Sequence, residues 1–294
     1  MLVHHLSCGC MCPVGGALFD GFSKGATACL VCHCLLIETA REGLVLVDTG
    51  FGRRDLSRSA SSISPFFRTL NNIRFDERLS ALTQIEQLGY RAEDVRHIVL
   101  THLDFDHAGG LGDFPDATVH LLAEEKAHAE APGGGFINRR RYIDRHWQGV
   151  RHWQPYAAQG ESWKGFAAVK ALIGCEAEDI YLVPLRGHTL GHAGVAVAVP
   201  GGWLLHAGDA YFYRGEIGYS QRHCTPGLRF YQWMMEADAQ ARAANQQRLR
   251  QAALTQPDLR IFCSHDAQEF ARLSGRSVLA DGTVIGNTAA TGNP

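Results

Sequence analysis

The sequence THLDFDHAGG at residues 101–110 constrains this chain more than any other stretch. The apolar run HIVL at 97–100 before it predicts a buried strand, and the two glycines that end it permit a tight backbone turn. Side chains in the loop after a strand commonly form functional sites in α/β proteins. Imidazole and carboxylate groups together suit zinc, iron or manganese. The loop supplies four such groups within six positions, namely His102, Asp104, Asp106 and His107.

A purely structural role would explain any one of these residues, but it explains the group poorly. One histidine beside one aspartate is usually a surface pair or a hydrogen-bonded core residue. Four such side chains directly after an apolar strand are hard to explain in that way. One short loop cannot enclose a metal ion, so a real site needs ligands from elsewhere in the chain. Three later segments offer them, each after an apolar run, with His188, Asp209 and His265.

The run HLDFDH at 102–107 resembles the His-x-His-x-Asp-His signature of the metallo-β-lactamase fold hydrolases. Four further motifs occur along the chain in the order of that family. VDTG at 47–50 precedes this run, and GHTLGH at 187–192, GDA at 208–210 and SHD at 264–266 come after it. Together the motifs extend from Asp48 to His265, which makes the resemblance specific. The chain departs from the signature at one position, because the second histidine of the family is Asp104 here.

The resemblance implies an α/β fold, a four-layer α/β/β/α sandwich of two mixed sheets, formed by a single domain over 1–294. It also implies two divalent metal ions. The first would be held by His102, Asp104 and His188, the second by Asp106, His107 and His265, with Asp209 bridging. Asp48 would orient a ligand histidine without binding metal itself. His192 would be a nearby structural residue, and Asp106 or Asp209 would transfer the proton during catalysis.

Asp104 affects the choice of metal. A carboxylate in place of an imidazole adds negative charge and is a harder ligand, which shifts the preference from zinc toward iron or manganese. We expect zinc first, with iron or manganese as alternatives. A second interpretation of the same residue is that Asp104 faces away and that only one metal binds tightly.

Such a centre predicts a hydrolase that attacks a small-molecule ester, most simply a lactone, through a metal-bridging hydroxide. Within the family, the motifs at 102–110 and 264–266 most resemble the acyl-homoserine-lactone lactonases. Those lactonases carry a tyrosine three residues after the bridging aspartate, where this chain has Phe212. Tyr211 and Tyr213 flank that position, so we predict that they bind substrate.

Three alternative functions stay open at this stage. The first is a thioesterase of the glyoxalase II type. The second is an iron-dependent enzyme of oxygen or sulfur chemistry, because the flavodiiron proteins of this fold carry a carboxylate at the position of Asp104. We expect no flavin-binding second domain, which argues against that branch. The third is a non-catalytic binding protein that retains a metal site.

Basic and aromatic residues alternate through 136–166, with RRRY at 139–142 as the densest part. Such alternation can indicate nucleic-acid binding, but the formal net charge of −2 and the lack of a sustained basic face argue against it. A solvated loop with tryptophan anchors is the ordinary explanation. We predict instead an insertion at 132–170 that borders the active site, in which Arg140 and Arg141 bind an anionic group of the substrate.

The nine cysteines include two groups, at 8, 10, 12 and at 29, 32, 34. Their spacing does not match the paired Cys-x-x-Cys units of a zinc ribbon. Alternation along strands predicts small, buried side chains, and the expected cytoplasmic setting argues against disulfides, so we predict reduced thiols. A second metal site or a redox role is the less favoured alternative.

A hydrophobic share of 46% and a charged share of 20% are typical of a globular protein with a full core. No apolar run reaches about 18 residues, which predicts no membrane partner. The first residues lack a secretory signal, so we expect a cytoplasmic protein. A homodimer is compatible with all of these features.

Hydrophobic periodicity predicts the secondary structure around these motifs. We expect strands at 30–38, 44–47, 118–122, 180–185 and 259–264, and a hairpin at 195–205. Helices are predicted at 76–88, 123–129 and 227–255. Residues 51–75 show little periodicity and predict a surface excursion.

Overall fold

A computed structural model describes residues 1–131, 133, 135–172, 180–218, 221–279 and 282–286. Its strands are β1 (Leu2–Met11), β2 (Leu30–Glu38), β3 (Leu44–Val47), β4 (Val95–Val99), β5 (Thr118–Leu122), β6 (His152–Tyr156), β7 (Glu161–Trp163), β8 (Phe166–Ala171), β9 (Ile180–Pro184), β10 (Ala193–Val199), β11 (Gly202–His206), β12 (Leu259–Phe262), β13 (Ser277–Val278) and β14 (Val284–Ile285). Its α-helices are α1 (Ala17–Asp20), α2 (Pro65–Leu70), α3 (Ala81–Gln87), α4 (Ala123–Glu130), α5 (Asn138–Arg141), α6 (Pro226–Met235), α7 (Ala239–Thr255) and α8 (Ala267–Ser274). Within these ranges, none of the helices is long and apolar enough to cross a bilayer.

Two six-stranded mixed sheets form the centre of the fold. The first contains β1 to β6 in chain order; β1, β2 and β3 pair antiparallel, and β3 to β6 run parallel. The second has the order β12-β11-β10-β9-β8-β7, with β11 and β12 parallel and the other pairs antiparallel. The strands β13 and β14 form a separate small hairpin.

Apolar side chains from both sheets meet in a shared core. Val47 of β3 and Val99 of β4 pack in the same buried cluster as Leu182 of β9 and Val195 of β10. On the outer face of the first sheet, Leu82 and Ile85 of α3 join a second cluster, and Leu249 and Ala252 of α7 join a third on the outer face of the second sheet. Helix, sheet, sheet and helix thus form four layers, and the predicted α/β/β/α sandwich is confirmed.

Strand direction brings the predicted ligands together. Each of the strands β3, β4, β9, β11 and β12 is followed at its carboxyl end by a predicted site segment, which holds Asp48, His102 to His107, His188, Asp209 and His265 respectively. Because β3 and β4 are parallel, and β11 and β12 are parallel, these ends lie at one edge of each sheet. The two edges are joined where the amide of Ala193 donates to the carbonyl of Thr101 and the amide of His33 donates to that of Ser264, both at 2.9 Å.

The predicted strands at 30–38, 44–47 and 118–122 agree with β2, β3 and β5, but two predicted helices are interrupted. Residues 76–88 form a short 3₁₀ turn, Glu77–Leu79, and then α3. Ser80 separates the two in extended conformation and caps α3 by accepting from the amide of Thr83. The apolar periodicity continues on both sides of Ser80, so the sequence pattern does not reveal its capping role.

The predicted helix at 227–255 is two helices, α6 and α7, so that prediction was wrong in its continuity. The chain turns at Glu236 to Asp238, where the amides of Ala237 and Asp238 donate to the carbonyl of Gly187 at 2.9 Å. Asp238 then caps α7 by accepting from the amide of Ala241 at 2.9 Å. The break therefore docks the segment that carries His188.

The segment 132–170 is only partly an excursion from the sheets. Its later part supplies β6, which pairs in parallel with β5, and also β7 and β8 at the far edge of the second sheet. Pro132 and Gly134 lie outside the described residues. The sequence hid β6 because HWQPY is polar and contains a proline, as an edge strand tolerates. The segment 51–75 likewise contains α2, with Phe67 buried.

The clustered cysteines are buried in the first sheet, as their alternation predicts. Cys8, Cys10, Cys29, Cys32 and Cys34 are each at most 2% exposed. The thiols of Cys10 and Cys29 are 3.8 Å apart. These side chains act as small apolar groups within the core.

Loss of the cap on α7 tests the break between α6 and α7. The variant Asp238→Ala is expected to lower the free energy of unfolding by about 1 kcal/mol, because one orphan amide of the first turn loses its acceptor. Urea denaturation followed by circular dichroism measures this change. Asp238→Asn keeps an acceptor and should stay near the wild type; equal stability of all three proteins would contradict the capping role.

Candidate metal centre

Asp48 organises the loop that carries most of the predicted ligands. Its carboxylate accepts hydrogen bonds at 2.8 Å from the amide and the hydroxyl of Thr101 and from Nδ1 of His107. The backbone of Asp48 has φ of 53°, a left-handed conformation that aspartate tolerates better than most residues. Burial opposes the ionisation of Asp48. The positive charge of His107 and its hydrogen bond outweigh this effect and lower the pKa of Asp48 below its ordinary value. A buried carboxylate therefore holds the loop and one imidazole together.

Four donor atoms surround one candidate metal position, which we call the second position because its residues are those predicted for the second metal. Oδ1 of Asp209 lies 3.3 Å from Nε2 of His107 and 3.1 Å from Nε2 of His265. Oδ2 of Asp106 lies 3.6 Å from Nε2 of His265 and 4.0 Å from Nε2 of His107. Neighbouring donors around a tetrahedral metal with bonds of 2.0–2.1 Å are about 3.3 Å apart. These separations suit one metal ion.

A second group of donor atoms surrounds the first position. Oδ2 of Asp104 lies 3.4 Å from Nε2 of His102 and 3.0 Å from Nε2 of His188. Oδ2 of Asp209 lies 3.4 Å from Nε2 of His188 and 3.9 Å from Nε2 of His102. The two oxygens of Asp209 therefore face the two positions, and the structure brings all seven predicted ligands into one buried cluster.

The histidine tautomers follow from the partners of Nδ1. Nδ1 of His265 is 2.7 Å from the carbonyl of Val31, and Nδ1 of His107 faces Asp48. Both partners can only accept, so each Nδ1 carries a proton, and Nε2 is the ring nitrogen that faces the cluster. Among the described atoms, Nε2 of His102 and His107 and Oδ1 of Asp209 are buried without a hydrogen-bond donor. Acceptors that face one another in this way fit a cation.

Like charges crowd the same space. Burial raises the pKa of Asp106, and the carboxylates of Asp209 and Asp104 add to this effect against the opposing influence of His107 and His265. Burial and the charge of His107 lower the pKa of His102 to about 4, although Asp104 opposes the shift. His102 is therefore neutral at pH 7, as a metal ligand must be.

Arg141 is part of this cluster and not of the site mouth. It is 1% exposed, and its Nε and Nη2 donate to the two oxygens of Asp104 at 2.7 and 2.6 Å. Nη2 also lies 2.7 Å from Nε2 of His188, while Nη1 donates to the carbonyl of Met235 at 2.7 Å and to that of His188 at 3.3 Å. The five N–H groups of a guanidinium are all used, which leaves none for a substrate. The structure thus places Arg141 inside the ligand cluster, and not at the site mouth where we predicted that it binds an anionic group of the substrate.

The other predicted substrate contacts are also placed elsewhere. The guanidinium of Arg140 stacks on the ring of Phe136, with its Cζ 3.6 Å from the ring centroid. The hydroxyl of Tyr211 is fully buried on Glu269, at 3.1 and 3.0 Å from the two carboxylate oxygens. Tyr213 packs against Arg214, whose Cζ is 4.6 Å from the ring centroid. The structure does not bring these three side chains to the ligand cluster.

Phe212 and Tyr231 occupy the space where the tyrosines were expected. The ring of Phe212 stacks on the ligand His265, with centroids 5.2 Å apart. Tyr231 of α6 packs edge-on against Phe212 at 5.8 Å. Burial raises the pKa of Tyr231 well above its ordinary value, and the charges of Asp106, Asp104 and Asp209 add to it. Periodicity predicts only a helix in this region, so Tyr231 is not among the predicted site residues.

Glu125 is another residue that the sequence did not reveal. Its carboxylate accepts from the amide of Leu103 at 2.9 Å and from the hydroxyl of Thr189 at 2.6 Å, which ties the loops of His102 and His188 together. Gly191 makes this approach possible, since a Cβ there would lie 2.1 Å from the amide nitrogen of Glu125. A glutamate in the first turn of α4 is unremarkable in sequence.

Cys32 also lies beside the second position. Its thiol and one ligating atom each of Asp106 and His265 lie within 4.8 Å of one another. Cys32 belongs to the buried stripe of β2, and alternation alone predicts only packing there.

Comparison with known proteins agrees with this geometry. A model of the metallo-beta-lactamase superfamily matches residues 27–265. A probable metallo-hydrolase of Mycobacterium tuberculosis is 41% identical over 279 residues, which are 90% of this chain and 80% of that protein. An N-acyl homoserine lactonase of Bacillus cereus is 30% identical over 124 residues, 40% of this chain and 49% of the lactonase.

Solved structures share the fold over most of the chain. An N-acyl homoserine lactone hydrolase with the product N-hexanoyl-L-homoserine at its catalytic metal centre has a TM-score of 0.66 at 19% identity, covering 91% of this chain and 94% of that one. AidC, a dizinc quorum-quenching lactonase, has a TM-score of 0.57 at 17% identity, with 90% and 86% covered. Since the family match extends over more than half of its length, the chain belongs to the metallo-beta-lactamase superfamily and is a metallo-hydrolase of that superfamily.

Proposed function

We propose that this chain hydrolyses a lactone or a related small carbonyl ester, using a divalent metal held in the ligand cluster. The observation that carries the proposal is the convergence of imidazole Nε2 atoms and carboxylate oxygens in one buried space. The similar fold of N-acyl homoserine lactone hydrolases supports the choice of lactone. Zinc is the metal we expect first, with manganese or iron as alternatives.

The donor atoms assign a role to each half of the cluster. Asp106, His107, His265 and Asp209 would hold the metal at the second position. When bound, the metal supplies a nucleophilic hydroxide near neutral pH and polarises the substrate carbonyl. The hydrogen bonds to Asp48 and to the Val31 carbonyl place a proton on Nδ1 of His107 and His265 and orient Nε2 of each ring toward the position where the metal would be held.

Two carboxylates beside the metal can handle the proton. Oδ1 of Asp209 and Oδ2 of Asp106 both border the second position. Either could take the proton from the attacking water and return it to the leaving alkoxide, because both border the position where the metal would be held. We propose these two residues as the catalytic acid and base.

Tyr231 is the residue we propose for the substrate carbonyl. It lies on the side of Phe212 and His265, close enough for the ligand carboxylates to influence its pKa. A phenolic O–H at this point can donate to the carbonyl oxygen as negative charge develops there. This role takes the place of the one predicted for Tyr211 and Tyr213.

Removal of the metal tests the proposed function. A chelator is expected to abolish the opening of a simple γ-lactone, and added zinc or manganese should restore it, since the cluster loses its reactive cation. Proton release in weakly buffered solution measures the rate, and a metal-free esterase controls for effects of the chelator on the assay.

Three results would contradict the lactonase proposal. They are full activity without metal, no hydrolysis of lactones or esters by the metal-loaded protein, and faster cleavage of a thioester. The last would select the thioesterase alternative, while bound iron with oxygen consumption would select the redox alternative.

Tyrosine substitutions separate the proposed role of Tyr231 from the predicted role of Tyr211. Tyr231→Phe is expected to lower kcat about 10²-fold with little change in KM, because one donor to the developing oxyanion is lost. Tyr211→Phe is the matched control: it removes a hydroxyl bound to Glu269 and should lower Tm while kcat is kept. Steady-state kinetics and thermal melting measure both variants, and an equal loss of kcat in the two would overturn the assignment.

A further inference from the structure

We propose that the guanidinium of Arg141 takes the place of a metal at the first position, so that this chain holds one metal, at the second position. The inference rests on the proposed metal-dependent function. It departs from the two-metal expectation drawn from the sequence. It concerns how many ions bind, which is measured without any substrate.

The contacts of Nη2 carry the argument. This nitrogen lies 2.6 Å from Oδ2 of Asp104 and 2.7 Å from Nε2 of His188. Those two atoms are donors of the first position. Arginine has only N–H donors, so His188 accepts with the single lone pair of Nε2, and a metal would need that same lone pair. A metal at this position must therefore compete with a hydrogen bond that is already formed.

The ion pair also removes the charge that would attract a metal there. Asp104 is 2% exposed, and both of its oxygens receive an N–H of Arg141. Arginine stays protonated in proteins, so the pair is neutral at every working pH. Apart from His188, whose Nε2 already accepts from Arg141, the remaining donors of the first position are the imidazole of His102 and one oxygen of Asp209.

Arg141 is held in place by other elements as well. Nη1 donates to the carbonyl of Met235 at the end of α6 and to the carbonyl of His188. With Asp104, this makes three separate segments that accept from one guanidinium. A side chain held on all of its N–H groups cannot move aside without leaving buried acceptors unpaired, which is costly.

The second position has no comparable competitor among the described residues. Nε2 of His107 and Oδ1 of Asp209 are buried there without a hydrogen-bond donor. Asp106 and Asp209 bring two carboxylates to it, which one divalent cation balances. Arg141 is therefore a positioning residue that orients Asp104 and His188 beside a single metal, and it does not touch the substrate.

Metal counting tests the proposal on the intact chain. The protein is loaded with excess zinc, dialysed against metal-free buffer, and analysed by elemental analysis and native mass spectrometry. One zinc per chain is expected for the wild type. The double variant Asp104→His/Arg141→Met removes both charges, frees the lone pair of His188 and restores a third imidazole; it should retain two zinc ions per chain.

Two further variants make the result specific. Arg141→Met alone should also gain a second zinc ion, because Asp104 and His188 both become available. Arg139→Met is the matched control: Arg139 is an exposed neighbour on the same helix, and its loss should leave one zinc per chain. The visible absorption of cobalt-loaded proteins gives an independent count that a purely structural role of Arg141 would not change.

The outcomes separate this inference from the proposed function. Two tightly held zinc ions in the wild type would overturn the inference, since Arg141 would then only neutralise a ligand. Failure of the double variant, folded by circular dichroism, to gain zinc would also overturn it. Absence of zinc from the wild type and all variants would instead overturn the metal-dependent function.

Discussion

Buried negative charge is the constraint on which this site depends. The carboxylates of Asp104, Asp106 and Asp209 lie together with almost no exposure to water. Burying like charges is costly unless cations are present, and among the described residues Arg141 supplies a permanent one by pairing with Asp104. The charge on Asp106 and Asp209 needs another positive partner. Metal binding and the stability of this edge of the sandwich are therefore linked, because the cation that completes the site also offsets the cost of forming it.

Carboxylates that do not face the metal give the cluster its rigidity. Asp48 joins the end of β3 to the ligand loop after β4, and Glu125 joins that loop to the segment of His188. Both are buried and accept from backbone amides, so each fixes the path of the chain as well as a side chain. The two sheets present the loops, and these two side chains connect the loops that carry the candidate ligands to one another.

Much of this arrangement could be predicted from local patterns. Apolar runs predict β2, β3 and β5, and the candidate ligands predicted after strand ends lie together in one cluster. Features that depend on tertiary contacts could not be predicted. The break at Asp238 depends on the amides of Ala237 and Asp238, which donate to the carbonyl of Gly187, a residue about fifty positions away. The strand β6 is polar and contains a proline, and only its pairing with β5 makes it a strand.

The chemistry of the site also divides into features that local sequence predicts and features that depend on tertiary contacts. Ligand types and their order are local information, whereas the meaning of Asp104 depends on a residue 37 positions later. Considered alone, Asp104 is a harder ligand that would shift the choice of metal. Paired with Arg141, it has no net charge to offer, and the same guanidinium uses the lone pair of His188. A carboxylate at this position and a buried arginine beside it therefore act as one unit, and the substitution at position 104 changes how many metals the centre can hold more than which metal it prefers.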